Sequence, residues 1–328
     1  MNNKKLNWAV IGCGVIANQT AQALSKMNKT LYSVANRTHK KAVDFAKKYN
    51  IKKVYDSVDE VFYDTDVDII YITTPHNTHY EFIKSTLENG KHVLVEKSIT
   101  LNSRELNEVV LTAQKNGLIL AEAMTVWHMP LYKKLWNITE SGELGKVQLI
   151  TMNFGSFKEY DMSNRFFNMN LAGGAMLDIG VYALSVVCSF MEEKPCDILS
   201  QWKPSPTGSD ETATILLKNS IGQMATVALS MHSKQPKRAM ISCEKGYIEI
   251  MEYPRADTAV IVDATTGQKR IITAGNSADA LYYEIEDMEK AVINNDVSCL
   301  RLQQTCDVMD IMTMLRKEWG MKYPGEVW

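Results

Sequence analysis

The 328-residue chain has no excess of either charge, no internal repeat and no low-complexity tract. Lysine and arginine total 36 against 38 aspartate and glutamate residues, so neither nucleic acid nor an anionic membrane is indicated as a partner. The N-terminal residues lead into a strand too short for a signal-peptide core or a membrane span. We therefore expect a cytoplasmic protein.

Paired cysteines are also missing, which excludes the usual zinc-binding and redox spacings and predicts free buried thiols. The six are Cys13, Cys188, Cys196, Cys243, Cys299 and Cys306. His76 and His79 are three residues apart, but they have no acidic or cysteine partner at ligand spacing. We expect no metal site.

A glycine motif is the strongest positive feature. Trp8–Ile11 is a short apolar run typical of a buried parallel strand, and Val15–Met27 has the spacing of an amphipathic helix. Between them lies a G-x-G-x-x-A turn, the form that binds a dinucleotide pyrophosphate at a helix N-terminus. The alternative is a glycine turn in an α/β protein without a dinucleotide. The predicted cofactor-binding residues here are Gly12, Gly14, Val15, Ile16 and Ala17.

The second strand of the motif indicates which dinucleotide is bound. An NAD site usually has an acidic residue just after that strand to hold the ribose 2′-hydroxyl. Here Asn36, Arg37 and Thr38 occupy this place. A guanidinium can hold a 2′-phosphate with two parallel hydrogen bonds, so the sequence favours NADP(H) over NAD(H). The alternative is that Arg37 stacks on adenine or faces solvent, so that both cofactors are accepted.

The two halves of the chain differ in pattern. Residues 1–123 alternate apolar strands with helices, which predicts a doubly wound parallel sheet of the α/β Rossmann type. Residues 124–328 contain closely spaced strand-like runs, which predict an α+β domain with a large open, mostly antiparallel sheet. We expect its closing helices, Ala280–Asn294 and Leu302–Trp319, to be able to pack back on the first domain. Glycines 222, 246 and 267 are predicted turns.

Three segments are expected to converge where the domains meet. Thr74–His79 and Glu96–Lys97 each follow a strand of the first domain, and ligands bind at the carboxyl ends of such strands. Gly173–Tyr182 opens a helix of the second domain, with Asp178 and Tyr182 four residues apart on one face. The further residues predicted to bind the cofactor are Thr74, Pro75, Asn77, His79, Glu96 and Lys97.

Together these motifs resemble the glucose-fructose oxidoreductase/inositol dehydrogenase family over nearly the whole chain. Within it, Asp178–Tyr182 is similar to the dimeric dihydrodiol dehydrogenase branch, in which a tyrosine replaces the usual histidine. The resemblance implies a Rossmann domain followed by an α+β domain whose open sheet forms homodimers or homotetramers. It also fits the NADP preference of the Asn36–Thr38 turn.

Hydride transfer from a carbinol needs a base for the hydroxyl proton. A free tyrosine, with a pKa of about 10, is a poor base, but a nearby ammonium group favours the phenolate. We predict Tyr182 as the acid/base, Lys97 as the cation that tunes it, and Asp178 as a ligand of a substrate hydroxyl or of Lys97. The alternatives are that Tyr182 packs in the core and that Lys97 contacts only the cofactor ribose.

The chain departs from the family pattern at Ser98, where Glu-Lys is normally followed by proline. A cis bond before a residue other than proline costs about 2.5–4 kcal/mol, so we expect a trans Lys97–Ser98 bond. For the substrate we predict contacts from Trp127, His128 and Arg165 in addition to Asp178. His128 is an alternative proton carrier.

The predicted function is an NADP(H)-dependent oxidoreductase acting on a CH–OH/carbonyl pair of a small sugar, polyol or cyclic diol. An alternative of a different class is a non-catalytic regulatory protein that senses a dinucleotide on the same scaffold. An NAD-linked sugar-acid dehydrogenase is a third interpretation, and it requires an idle Arg37.

Overall fold

The computed structural model describes residues 5–328. Residues 1–4, which form part of the N-terminal segment used above to predict localisation, lie outside the described residues. The chain forms two compact units. The first contains the residues up to Thr100 together with Arg104–Met124 and Leu281–Leu302, and the second contains Leu101–Ser103, Thr125–Ala280 and Gln303–Trp328. The boundary after residue 123 stays a prediction about the folding domains.

Fourteen strands are found in the described part of the chain, and they form two sheets. In chain order they are β1 (Trp8–Ile11), β2 (Ser33–Ala35), β3 (Lys53–Val54), β4 (Ile69–Ile72), β5 (His92–Glu96), β6 (Leu120–Ala123), β7 (Val147–Gly155), β8 (Asp197–Pro204), β9 (Asp210–Lys218), β10 (Met224–Ser230), β11 (Gln235–Cys243), β12 (Gly246–Met251), β13 (Thr258–Asp263) and β14 (Lys269–Thr273).

Ten α-helices are found within residues 5–328. They are α1 (Val15–Lys26), α2 (His39–Tyr49), α3 (Glu60–Tyr63), α4 (His79–Glu88), α5 (Ser103–Asn116), α6 (Thr125–His128), α7 (Pro130–Glu140), α8 (Val181–Phe190), α9 (Ala280–Asn294) and α10 (Leu302–Glu318). A π-helical turn, Met176–Gly180, leads directly into α8.

The first sheet is parallel throughout, with the order β3-β2-β1-β4-β5-β6. All four residues of β1 and of β4 are buried, as expected for strands covered on both faces. This confirms the predicted doubly wound sheet, and it brings the carboxyl ends of β1, β4 and β5 to one edge. Helix α9 belongs to this unit, where Glu289 accepts hydrogen bonds from the Trp8 indole and from Lys29.

The second sheet has the order β14-β13-β12-β11-β7-β10-β9-β8 and is antiparallel except for the β7–β10 pair. One face packs on α8, and the other is open. A single register row on the open face crosses all eight strands. This open row consists of Leu199, Leu216, Thr226, Thr151, Met240, Glu249, Val260 and Ile271, none of which is buried in the described structure. The predicted open sheet is confirmed.

Several predicted elements are corrected by the structure. The apolar run of residues 118–121 predicts the last strand of the first sheet there, whereas the buried strand is β6 and continues through Glu122 to Ala123. Gly246 begins β12 and is not a turn residue, whereas Gly222 and Gly267 have the positive φ angles of turns. The pattern analysis also missed β8, an edge strand in which exposed and half-buried residues alternate. Edge strands need few buried apolar residues, so their signal is weak.

All six cysteines are free, but the prediction that they are buried is wrong. Five are partly exposed, and Cys196, in the segment before edge strand β8, is exposed. Burial of their thiols nevertheless raises the pKa of Cys13 to about 11, of Cys188 to about 12 and of Cys243 to about 11.

Met169–Phe190 is the candidate membrane span found within residues 5–328, on length and composition. Of its most apolar 18-residue window, 78% is buried inside the protein. Burial of that extent is typical of a core helix, whose apolar side chains contact the protein rather than lipid.

Candidate functional site

The glycine turn lies directly between β1 and α1. Gly12 has a φ angle of +107°, and a Cβ there would lie 2.6 Å from the Thr73 Oγ1, so only glycine fits. A Cβ at Gly14 would meet no atom within 4 Å. Helix α1 begins at Val15 and has no acidic side chain in its first turn. An open glycine at a helix N-terminus with free N–H groups fits a dinucleotide pyrophosphate.

The turn after β2 carries one basic side chain, Arg37. Asn36 is half-buried and donates from its side-chain amide to the Thr38 carbonyl at 3.0 Å, while Arg37 is exposed. Because α2 starts at His39 with no acidic residue in its first turn, this turn has no carboxylate that would repel a 2′-phosphate.

His79 joins the two loops at the edge of the first sheet. Its Nδ1 lies 2.9 Å from the Ser98 carbonyl oxygen and its Nε2 lies 2.8 Å from the Thr74 carbonyl oxygen. Burial, the largest influence, lowers the pKa of His79, and Lys97 lowers it further. The contacts with the backbone carbonyl oxygens oppose this shift, because a protonated ring donates from both nitrogens. The sequence analysis assigned His79 to the cofactor rim and did not foresee this bridging contact.

The expected trans bond between Lys97 and Ser98 is wrong, because the structure has a cis bond there. The backbone on both sides of this bond is held: His76 Nε2 lies 3.0 Å from the Lys97 carbonyl oxygen, and His79 contacts the Ser98 carbonyl. The expectation rested on the preference of an isolated dipeptide, which includes neither contact.

Two buried side chains of the first sheet hold the loop around Lys97 and Ser98. The Tyr71 hydroxyl donates to the Glu96 carboxylate at 2.6 Å, and the buried Glu122 accepts the N–H of Ile99 at 3.0 Å. The Glu96–Lys97 segment is therefore anchored by β4 on one side and by β6 on the other. Polar residues inside apolar strands were the signal, and the sequence analysis passed over Glu122.

In the second unit, the π-helical turn carries Asp178 and leads into Tyr182. Turns of this type are rare and are frequent at functional sites. Arg165 lies 3.7 Å from the Asp178 carboxylate, and its guanidinium stacks over the Phe166 ring at 4.6 Å. The structure therefore brings together two residues that the sequence analysis assigned to substrate binding.

Tyr182 lies among aromatic rings of the same unit. Its ring centroid is 6.4 Å from that of Phe154, which in turn lies 5.9 Å from the ring of Tyr253. Burial raises the pKa of Tyr253 well above its ordinary value, so its buried hydroxyl stays protonated. Tyr182 is the half-buried ring of this cluster. The sequence analysis missed Tyr253 because its position resembles the end of a strand.

The predicted substrate residues Trp127 and His128 are both fully buried in α6. Within residues 5–328, no hydrogen-bond partner is found for the Trp127 indole N–H. Leaving a buried donor unpaired costs about 1–3 kcal/mol.

Metal-ligand geometry is not found in the described part of the chain, which contains no group of three or more His, Cys, Asp and Glu side chains able to hold an ion. The acidic and imidazole groups of the candidate site are instead engaged with backbone groups or with a guanidinium.

Asp210 adds a pH dependence to the second unit. Burial raises its pKa from 3.8 to about 7, and the facing Arg316 only partly opposes this shift. Between about pH 4 and pH 7 the unfolded chain therefore releases this proton before the native protein does, and the free energy of unfolding falls as pH rises.

We expect Asp210→Asn to gain about 2–3 kcal/mol of stability relative to the parent protein between pH 5 and pH 8. Chemical denaturation of both proteins at the two pH values measures this change. All other titrating groups are shared and cancel in the difference. A difference that does not change with pH would contradict the assignment.

The parallel sheet, its glycine turn and the attached α+β unit define a dinucleotide-binding oxidoreductase. Comparison with family models gives the particular family. Residues 6–124 match the oxidoreductase family with an NAD-binding Rossmann fold, and residues 132–249 match the GFO/IDH/MocA C-terminal domain. The chain belongs to the Gfo/Idh/MocA family of NAD(P)-dependent dehydrogenases and reductases.

Similar proteins agree with this assignment. The trans-1,2-dihydrobenzene-1,2-diol dehydrogenase of Xenopus laevis is 29% identical, over 97% of this chain and 99% of the relative. The Mus musculus enzyme of the same name is 32% identical over 75% of each chain. Among solved structures, a 3-ketoreductase from Actinomadura kijaniata in complex with NADP and TDP-benzene has a TM-score of 0.86 at 19% identity, covering 96% of this chain and 98% of its own. This last likeness shows the shared fold.

Proposed function

We propose that the protein uses NADP(H) to interconvert a CH–OH group and a carbonyl on a small sugar, polyol or cyclic diol. The observation that supports this proposal is the 3.7 Å ion pair of Arg165 with Asp178, in the turn that leads into the helix of Tyr182. Diol substrates are supported by the names of the relatives, and keto-sugars by that of the structural neighbour.

The cofactor choice rests on the first unit. Gly12 and Gly14 would receive the pyrophosphate, with the N-terminus of α1 facing it. Arg37 would hold the 2′-phosphate through two N–H groups, and Asn36 would contact the same ribose. We also propose Val15, Ile16, Ala17, Thr38, Thr74, Pro75, Asn77, His79 and Glu96 as cofactor-binding residues.

The proposed chemistry assigns one role to each group. A bound nicotinamide would supply the hydride acceptor for the carbinol carbon, or the hydride donor for the carbonyl carbon in the reverse direction. In the oxidation, Tyr182 takes the hydroxyl proton as the C=O bond forms. Lys97 favours the Tyr182 phenolate, and Asp178 holds a further substrate hydroxyl. Arg165, which is exposed, contacts the substrate, whereas Trp127 and His128 are too deeply buried for such a contact.

Turnover tests this proposal directly. NADPH oxidation and NADP reduction are followed at 340 nm with sugars, inositols, cyclic diols and dicarbonyls, and tryptophan fluorescence reports cofactor binding in parallel. We expect turnover with at least one of these compounds, and faster turnover with NADP(H) than with NAD(H). Tight NADPH binding without turnover would favour a dinucleotide-sensing regulator.

We further propose that the protein is a homodimer or homotetramer formed through the second sheet. The open row is apolar at Leu199, Leu216 and Ile271, and such rows are typical of faces that pair with another copy. We also propose that the protein is located in the cytoplasm.

We expect Leu216→Lys to shift the protein toward the 37.0 kDa monomer, because a charge buried without a partner in the interface is costly. Sedimentation velocity measures the mass. Ile221→Lys is the matched control, since Ile221 is 52% exposed against 50% for Leu216 but lies on a turn. An unchanged mass for the Leu216 variant would place the interface elsewhere.

A further inference from the structure

Asp210, the first residue of β9, is a fully buried carboxylate with no role in the chemistry proposed above. It accepts a hydrogen bond from the backbone N–H of Met176. Met176 is the first residue of the π-helical turn, so this bond fixes the point at which the helix of Asp178 and Tyr182 begins.

The preceding turn is packed against the same carboxylate. Gly174 has a φ angle of +135°, and a Cβ at this position would lie 2.0 Å from the Asp210 Oδ1. The backbone therefore approaches Asp210 as closely as only glycine allows. On the other side, the Tyr323 hydroxyl donates to the Gly173 carbonyl at 2.9 Å. Two buried groups from distant parts of the chain hold the three residues before the π-helical turn.

Tyr323 is itself held by a buried ion pair. Arg316 of α10 and Glu326 are fully buried and bonded through two nitrogens, at 2.7 and 2.8 Å. Glu326 also accepts the N–H of Tyr323 at 3.0 Å and the side-chain amide of Asn102 at 2.9 Å. Both oxygens of Glu326 are therefore hydrogen-bonded, and a buried ion pair satisfied in this way is costly to rearrange. Because Tyr323 donates its N–H to Glu326, its position is fixed as well.

We propose that Asp210 is a positioning residue: with Tyr323, it fixes the start of the helix and so sets the placement of Asp178 and Tyr182 for proton transfer. This inference rests on the proposed function through the role of Tyr182. Asp178 lies two residues, and Tyr182 six residues, beyond the fixed N–H group. A small displacement at Met176 is therefore carried along a rigid helix to both side chains, and reaction rates respond strongly to such displacements.

Two substitutions at Asp210 separate positioning from general structural support. Asparagine keeps an oxygen that can accept the Met176 N–H, whereas alanine removes it. We expect Asp210→Ala to lower kcat about 10-fold with little change in the KM for NADPH, and Asp210→Asn to recover most of that loss. Tyr323→Phe, which removes only the bond to Gly173, is expected to lower kcat less than Asp210→Ala does.

Tyr132→Phe is the matched control for Tyr323→Phe. It also removes a buried hydroxyl that donates to a backbone carbonyl, at 2.7 Å from the Tyr253 oxygen, and it leaves the Gly173–Met176 segment untouched. We expect its kcat to stay within about twofold of the parent value. Equal losses in the Tyr323 and Tyr132 variants would overturn the proposal.

Hydrogen–deuterium exchange gives a readout that needs no substrate. We expect faster exchange in residues 174–182 of Asp210→Ala than of the parent, with exchange in the first unit unchanged. Unchanged exchange in residues 174–182 would overturn the proposal. If Tyr182→Phe abolishes turnover while Asp210→Ala keeps full kcat, the positioning role alone fails. If Tyr182→Phe turns over normally, the proposed acid/base fails first.

Discussion

Tyr182→Phe is expected to lower kcat by about 100- to 10,000-fold and to leave NADPH binding unchanged. General acid/base groups contribute rate factors of this size, and phenylalanine keeps the ring while removing the only atom that can carry the proton. The ring contact with Phe154 should survive the substitution, so the fold is retained. Steady-state kinetics and fluorescence titration with NADPH measure the two quantities separately.

Tyr63→Phe is the control for this variant. Tyr63 is 71% exposed at the end of α3, so the loss of its hydroxyl should not alter turnover. Near-normal kcat in Tyr182→Phe would remove Tyr182 as the acid/base and direct attention to His128 and Lys97. A parallel loss of NADPH affinity would mean that the variant disturbs the protein more widely.

Arg37→Ala is expected to weaken NADPH binding by about 100-fold and NADH binding by less than threefold. Two hydrogen bonds from a guanidinium to a phosphate are each worth about 1.5–3 kcal/mol, and NADH has no 2′-phosphate to receive them. The turn has no carboxylate that would repel the 2′-phosphate, so the loss measures the guanidinium itself. Dissociation constants for both cofactors, measured at one fixed salt concentration, give the ratio.

Arg37→Lys and Arg104→Ala sharpen this experiment. Lysine keeps the charge but not the planar fork, so we expect an intermediate loss for NADPH. Arg104 is an exposed arginine near the start of α5, and its removal should leave both affinities unchanged. Equal losses of NADPH and NADH affinity in Arg37→Ala would show that Arg37 does not recognise the phosphate.

The parallel sheet could be predicted because its strands are short, continuous apolar runs, and β1 was predicted with the bounds that the structure has. The glycine turn could also be predicted, because its function depends on local backbone geometry. Elements whose stability comes from distant partners were harder. In β6 the buried Glu122 accepts the Ile99 N–H, and sequence patterns carry no record of that contact.

The candidate site shows the same division. Asp178, Tyr182 and Arg165 were singled out by residue type and spacing, and the proximity of Arg165 to Asp178 emerged only from the structure. The contact of His79 with Ser98 joins residues 19 positions apart, and that of Asp210 with Met176 joins residues 34 positions apart. The π-helical turn is a local change of helix type. Helical periodicity at 3.6 residues cannot reveal any of them.

The distribution of the cysteines provides a handle for labelling chemistry. Only the thiolate reacts quickly with maleimides or iodoacetamides, and a thiol with a pKa of about 11 is ionised to roughly one part in 10,000 at pH 7. Cys13, Cys188 and Cys243 are thus slow to modify, whereas Cys196 is exposed beside β8. With the partly exposed Cys299 and Cys306 replaced by serine, a single fluorophore attached at Cys196 would mark the rim of the second sheet. Energy transfer between donor- and acceptor-labelled copies would then test for the proposed oligomer.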